Sequence, residues 1–62
     1  MDLALKKRID DGEMFEYGKN KNIQLFRHGK KYKLELNGIL KKANYSFNVI
    51  IKELQLLKSV HN

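Results

Sequence analysis

The sequence predicts an α+β fold: a short N-terminal helix, a three- to four-stranded antiparallel meander and a C-terminal amphipathic helix packed on one sheet face. Apolar and polar residues alternate with a period of two through much of residues 13–36, as in strands. Across residues 47–60 the apolar residues recur at i, i+3, i+4 and i+7, as in a helix. The pair Asn37-Gly38 is a strong hairpin signal, because a type I′ turn needs positive φ at both central residues.

The N-terminal helix is predicted over Leu3–Ile9, where Leu5 and Ile9 lie one turn apart. Asp2 is suited to cap its first turn. Asp10-Asp11-Gly12 is expected to end it, because glycine readily adopts the positive φ of a C-terminal cap. A helix this short needs packing against the rest of the chain to be stable.

Four segments are predicted as strands. They are residues 13–17, Ile23–Arg27, Lys31–Leu36 and Ile39–Tyr45, joined by the polar turn of residues 18–22, by His28-Gly29 and by Asn37-Gly38. Lys31–Leu36 alternates most cleanly, with one apolar and one charged face. Ile39–Tyr45 is less regular, so a helical start near Gly38 is the alternative there.

Phe26 points away from Ile23 and Leu25 in a regular strand. Either the sheet carries apolar residues on both faces, or this strand contains a bulge.

The C-terminal helix is predicted over residues 47–60, with Ser46 as its cap. Its first apolar row consists of Phe47, Ile50, Ile51, Leu54 and Leu57. Val49, Leu56 and Val60 form a second row, and the two rows together span roughly 200°, wider than the stripe of an ordinary surface helix. The second row is covered either by the N-terminal helix, folded back over it, or by its own copy in a symmetric dimer. The small core favours a homodimer.

The chain has 62 residues, no cysteine and a formal net charge of +6. It forms at most one small domain, without disulfides. Its lysine and asparagine content also fits an AT-rich genome, such as that of a low-GC bacterium or its phage. Basic charge alone therefore counts for less than usual as a sign of polyanion binding.

No catalytic, cofactor or metal site is expected. Cysteine and threonine are absent, and no residue set provides a nucleophile beside a base. The acidic group Asp10, Asp11, Glu13 and Glu16 lacks both EF-hand spacing and a histidine partner. The glycines are dispersed among the turns, so no phosphate-binding loop is present. We therefore expect a non-enzymatic protein.

Basic residues form three clusters, Lys6-Lys7-Arg8, Arg27 to Lys33 and Lys41-Lys42, which suggest binding to a DNA or RNA backbone. The predicted phosphate contacts are Arg27, Lys30, Lys31, Lys33, Lys41 and Lys42, with Phe26 and Tyr32 as stacking partners. Arginine, the main reader of guanine, occurs only twice, which favours little sequence specificity. The alternative is that these lysines only solubilise the wet face of a sheet.

The second functional hypothesis is a protein-interaction module, such as an inhibitor, adaptor or assembly factor. Its interface would be Val49, Leu56 and Val60, and its partner a host protein. We expect a cytoplasmic protein with no membrane association, because no apolar run approaches the ~20 residues that span a bilayer. The composition also fits an origin in a phage or mobile element.

Overall fold

A four-stranded sheet carries two helices on one of its faces in the computed structural model, which describes residues 3–60. The elements are α1 (Leu3–Asp10), β1 (Phe15–Tyr17), β2 (Ile23–His28), β3 (Lys31–Leu36), β4 (Ile39–Asn44) and α2 (Phe47–Val60). Adjacent strands are antiparallel and follow chain order, so the sheet is a meander. The predicted α+β fold is confirmed.

α1 ends one residue later than predicted, in a cap built around Gly12. Gly12 has a φ of 99°, and its amide donates to the carbonyl of Ile9 at 3.1 Å. The amide of Glu13 donates to the carbonyl of Arg8 at 3.0 Å. These bonds satisfy carbonyls that the last helical turn leaves without partners. The cap predicted at Asp2 lies outside the described residues.

Both tight hairpins form close to their predicted positions. Asn37 and Gly38 have φ values of 54° and 78°, as a type I′ turn requires. The β2–β3 turn falls at Gly29-Lys30, one residue later than predicted, because His28 still pairs with Lys31 in the ladder.

β4 is a strand over Ile39–Asn44, so the alternative of a helical start near Gly38 is wrong. Its irregular pattern comes from a bulge: Leu34 pairs with Lys42 and Glu35 with Leu40, leaving Lys41 as the extra residue. A bulge of this kind moves the following residues to the opposite face from the one that strict alternation gives.

The core lies between the sheet and the two helices. Its buried members are Ile9, Ile23, Leu25, Tyr32, Leu34, Leu36, Phe47, Ile50 and Leu54. α2 spans Phe47–Val60 as predicted, and its first apolar row packs into this core. Because both helices supply core residues on the same side, the other side of the sheet is left without a helix. Neither helix of the described chain is long and apolar enough to cross a bilayer.

Candidate nucleic-acid interface

The sheet face opposite the helices, here called the outer face, follows from the strand register. Directly paired residues of antiparallel strands project to the same side. Three rows cross the outer face: Glu16, Gln24, Glu35 and Leu40 in the first, Phe26, Lys33 and Ala43 in the second, His28 and Lys31 in the third. The face therefore has an acidic end and, beside the β2–β3 turn, a basic end.

Phe26 lies in the middle row, directly opposite Lys33. β2 pairs with both neighbouring strands without a register shift, so the bulge considered for this strand is absent. The sheet instead carries an aromatic side chain on its outer face. Phe26 is half-buried, and side chains of its own face, such as the Lys33 stem, are suited to flank the ring.

Two residues outside the predicted site, His28 and Tyr45, complete the basic end. Nδ1 of His28 lies 3.2 Å from Nζ of Lys33. Nζ of Lys31 lies 5.2 Å from the centroid of the Tyr45 ring. Tyr45 is 66% exposed. We call Phe26, His28, Lys31, Lys33 and Tyr45 the basic-aromatic patch.

The bulge explains why sequence analysis missed Tyr45. In a regular strand, Tyr45 would share a face with Ile39, which pairs with the core residue Leu36. The extra residue Lys41 shifts this alternation, so Tyr45 follows the outer-face residues and meets Lys31. No residue pattern in the sequence marks the bulge.

Arg27 and Tyr32, both predicted to contact nucleic acid, pair with each other on the helix-bearing face. Tyr32 is only 6% exposed, and its ring packs edge-on against Phe47 at 5.1 Å between centroids. Its hydroxyl donates to Oδ1 of Asp10 at 2.5 Å, and Arg27 lies 3.2 Å from the same oxygen. The structure thus does not bring these two residues together with Phe26, and their contacts hold α1 on the sheet.

The remaining predicted lysines lie at the margins of the sheet. Lys30 is exposed in the β2–β3 turn, next to the basic-aromatic patch. Lys41 is the extra residue of the β4 bulge, and Lys42 pairs with Leu34 on the helix-bearing side of this edge strand. Both are exposed. They add positive charge along one edge rather than within the patch.

Ion pairs divide the basic clusters into two groups. In and beside α1, Lys6 pairs with Asp10 at 2.8 Å, Lys7 with Asp11 at 3.2 Å and Arg8 with Glu13 at 3.2 Å. Among the described residues, no ion pair involves the five predicted lysines of the sheet, Lys30, Lys31, Lys33, Lys41 and Lys42. The positive charge near the patch is therefore not neutralised by a neighbouring carboxylate.

Asp10 joins α1 to the sheet through two partners, Arg27 and Tyr32, and also binds Lys6 within α1. The hydrogen bond from Lys6, and then that from Tyr32, lowers the pKa of the Asp10 carboxyl. The hydrogen bond to Asp10 in turn raises the pKa of Lys6. This acidic residue acts as a structural anchor for cations that would otherwise add to the surface charge.

The second apolar row of α2 is largely uncovered in the single chain. Leu56 is 61% exposed and Val60 is 75% exposed, while Val49 is half-buried. α1 contacts β2 and contributes Ile9 to the core, and Leu3 is itself exposed. The N-terminal helix therefore does not cover Leu56 and Val60, contrary to the first of the two alternatives.

Comparisons with protein-family models, with curated proteins and with solved structures found no match. Within residues 3–60, no group of three or more His, Cys, Asp or Glu side chains is placed to hold a metal ion. The surface chemistry of this chain is therefore what points to a function.

Proposed function

We propose that this chain is a non-enzymatic nucleic-acid-binding protein that contacts the sugar–phosphate backbone with little sequence specificity. The observation that carries the proposal is the position of the lysines that have no carboxylate partner. Lys31 and Lys33 lie on a sheet face without a helix, and Lys30 lies in the adjoining turn. Cations so placed can approach phosphates without first breaking an internal ion pair, and each contact releases a counterion.

The distribution of acidic residues supports the same surface. Asp10, Asp11 and Glu13 are paired with cations of α1 and its flank. Glu16 and Glu35 occupy the row farthest from the β2–β3 turn. A polyanion is therefore attracted to the turn end of the outer face and repelled from its other end.

Weak sequence specificity follows from the state of the two arginines. Arg8 is paired with Glu13, and Arg27 with Asp10. Nε of Arg27 also donates to the carbonyl of Gly29 at 2.9 Å. Both guanidinium groups already contact a neighbour and would have to give up or share that contact to read guanine in the bidentate manner of arginine, whereas lysine serves phosphates as a point charge.

The proposal is tested by fluorescence anisotropy with labelled duplex DNA, single-stranded DNA and duplex RNA, titrated at several salt concentrations. We expect binding that weakens log-linearly with salt. A Lys31→Glu, Lys33→Glu variant should lose it. In a milder Lys31→Ala, Lys33→Ala variant that still binds, the salt slope should fall by about 1.4 on a single strand and about 1.8 on duplex DNA if both lysines contact phosphates, from roughly 0.7 and 0.9 per contact.

The matched control is Lys19→Glu, Lys52→Glu, on exposed lysines outside the outer face. Each substitution changes the charge by two, so both double variants have a net charge of +2 instead of +6. The control should keep most of the binding. An equal loss in both variants would show that net charge rather than this surface governs binding, and no binding by the unmodified protein near physiological salt would refute the proposal.

A second candidate function, as a protein-interaction module, is favoured by the exposure of Leu56 and Val60 on the same stretch of α2. Apolar side chains left exposed side by side are typical of an interface, either with a host protein or with a second copy in a homodimer.

A Leu56→Asp, Val60→Asp variant tests this candidate against the first. If α2 forms the interface, the unmodified protein has a concentration-dependent mass by light scattering and the variant is monomeric with unchanged circular dichroism. If the interface instead binds a host protein, the unmodified protein captures that partner in a pull-down experiment and the variant does not. Two results together would count against an interface on α2. The unmodified protein would stay monomeric, and every partner that it captures would also be captured by the variant.

A further inference from the structure

The two aromatic residues of the basic-aromatic patch, Phe26 and Tyr45, lie on either side of its lysines. Phe26 is on β2, Tyr45 directly follows β4, and Lys31 and Lys33 are on β3 between them. Phe26 pairs with Lys33, which pairs with Ala43 of β4, and Tyr45 follows Ala43 by two residues. Tyr45 is therefore offset from Phe26 by two strands across the sheet and by two residues along the strand direction. With strands about 4.8 Å apart and a rise of about 3.3 Å per residue, their Cα atoms are separated by roughly 12 Å.

This arrangement suits a single strand better than a duplex. Aromatic side chains bind bases through their faces, and in a duplex each base face is covered by the neighbouring base pair. Opening a duplex step to admit a ring requires that neighbouring base pairs be unstacked, which is unfavourable. A single strand can instead turn separate bases onto separated rings while its phosphates pass over the lysines between them.

We propose that the basic-aromatic patch binds single-stranded nucleic acid, with bases stacked on Phe26 and Tyr45 and phosphates held by Lys31 and Lys33. This inference rests on the proposed function and adds its substrate class. Tyr45 is open to solvent and already held beside a cation, Lys31. Phe26 is fixed in the regular part of the ladder, opposite Lys33. The patch therefore combines the two features of sequence-tolerant single-strand binding, stacking surfaces and a basic track.

The deciding experiment compares three probes of equal strand length by fluorescence anisotropy: a thymidine octamer, an abasic octamer with the same phosphates, and a duplex. The octamer should bind most tightly. Replacing each ring with a similarly sized aliphatic group, in Phe26→Leu or Tyr45→Leu, should weaken octamer binding by about 5- to 150-fold per ring, the range that base–aromatic stacking supplies. The same changes should leave abasic binding nearly unaltered.

Phe26→Tyr and Tyr45→Phe serve as rescue variants, because each keeps a ring and should retain octamer affinity. Leu40→Ala, at an exposed apolar residue of the acidic end, is the control for lost apolar surface. In NMR spectra, the ring protons of Phe26 and Tyr45 should shift upfield with the octamer and not with the abasic strand.

The outcomes separate this inference from the proposed function. If the abasic strand or the duplex binds as tightly as the octamer, or if the leucine variants bind it normally, the stacking inference is wrong and backbone binding stands. If none of the three probes binds near physiological salt, the proposed function fails, and the single-strand inference fails with it.

Discussion

Replacing Asp10 by alanine is expected to loosen α1 from the sheet far more than replacing its neighbour Asp11. Asp10 accepts hydrogen bonds from Tyr32 of β3 and Arg27 of β2, as well as from Lys6 within α1. Within residues 3–60, the ion pair of Asp11 is with Lys7, one turn back on the exposed side of α1. The two aspartates are adjacent and chemically identical, so each serves as the control for the other.

The expected magnitudes follow from these contacts. A hydrogen bond to a charged group stabilises a protein by about 1.5–3 kcal/mol, and the Tyr32–Asp10 bond is partly shielded from water. For a domain of this size 1 kcal/mol shifts the melting temperature by about 4–8 °C, so Asp10→Ala should lower it by roughly 6–24 °C. The exposed Lys7–Asp11 pair contributes about 0.3–0.5 kcal/mol, so Asp11→Ala should lower it by no more than about 4 °C.

The assay is thermal unfolding followed by circular dichroism at neutral pH. A second readout is hydrogen exchange of the α1 amides, which should quicken in Asp10→Ala before the sheet amides do. Equal losses of melting temperature in the two variants would refute the assignment of Asp10 as the anchor between helix and sheet. So would unchanged protection of α1 in Asp10→Ala.

Three further predictions concern the acid response, the core and a turn. The folded-state pKa of Asp10 is lowered from its ordinary value of 3.8, so the stabilisation by its charge is fully present above that value and is lost as pH falls through the lower folded-state pKa. The stability gap between the unmodified protein and Asp10→Ala should therefore narrow below about pH 4 in acid titrations. Ile50→Ala, at a fully buried core position, should cost about 2–5 kcal/mol in urea unfolding, whereas Asn48→Ala on the exposed side of α2 should stay within about 0.5 kcal/mol. Gly38→Ala should cost about 1 kcal/mol or more in the same assay, since its φ of 78° strains any residue with a Cβ; no loss would exclude the type I′ geometry.

The fold was predictable because each element depends on short-range patterns. The apolar period of residues 47–60 predicts α2, which covers Phe47–Val60 of the described chain. Asn37-Gly38 sets the β3–β4 hairpin through its requirement for positive φ. The β2–β3 turn was misplaced by one residue because polar residues such as His28 are equally compatible with a turn and with the exposed end of a strand.

The candidate site was less predictable because facing direction depends on register. Sequence adjacency grouped Arg27 and Tyr32 with Lys31 and Lys33, yet alternation along the strands sends the first two to the helix-bearing face. Tyr32 was expected on the apolar face of its strand and also as a stacking partner for a base. The same ring cannot be buried in the core and stack on a base. Burial against Phe47 and the bond to Asp10 decide this in favour of the core. Tyr45 reached the site only through the bulge at Lys41.

The two faces of the β2–β3 hairpin thus differ in their contacts. Toward the helices, Arg27 and Tyr32 hold Asp10 and fix α1. Away from them, Lys31 and Lys33 stay clear of any carboxylate partner in the described chain. A codon bias toward lysine would add positive charge throughout the chain, including at Lys19 and Lys52. It would not concentrate lysines on the sheet. This is why the two charge-reversal variants, equal in net charge and different in place, separate a binding surface from a solubilising one.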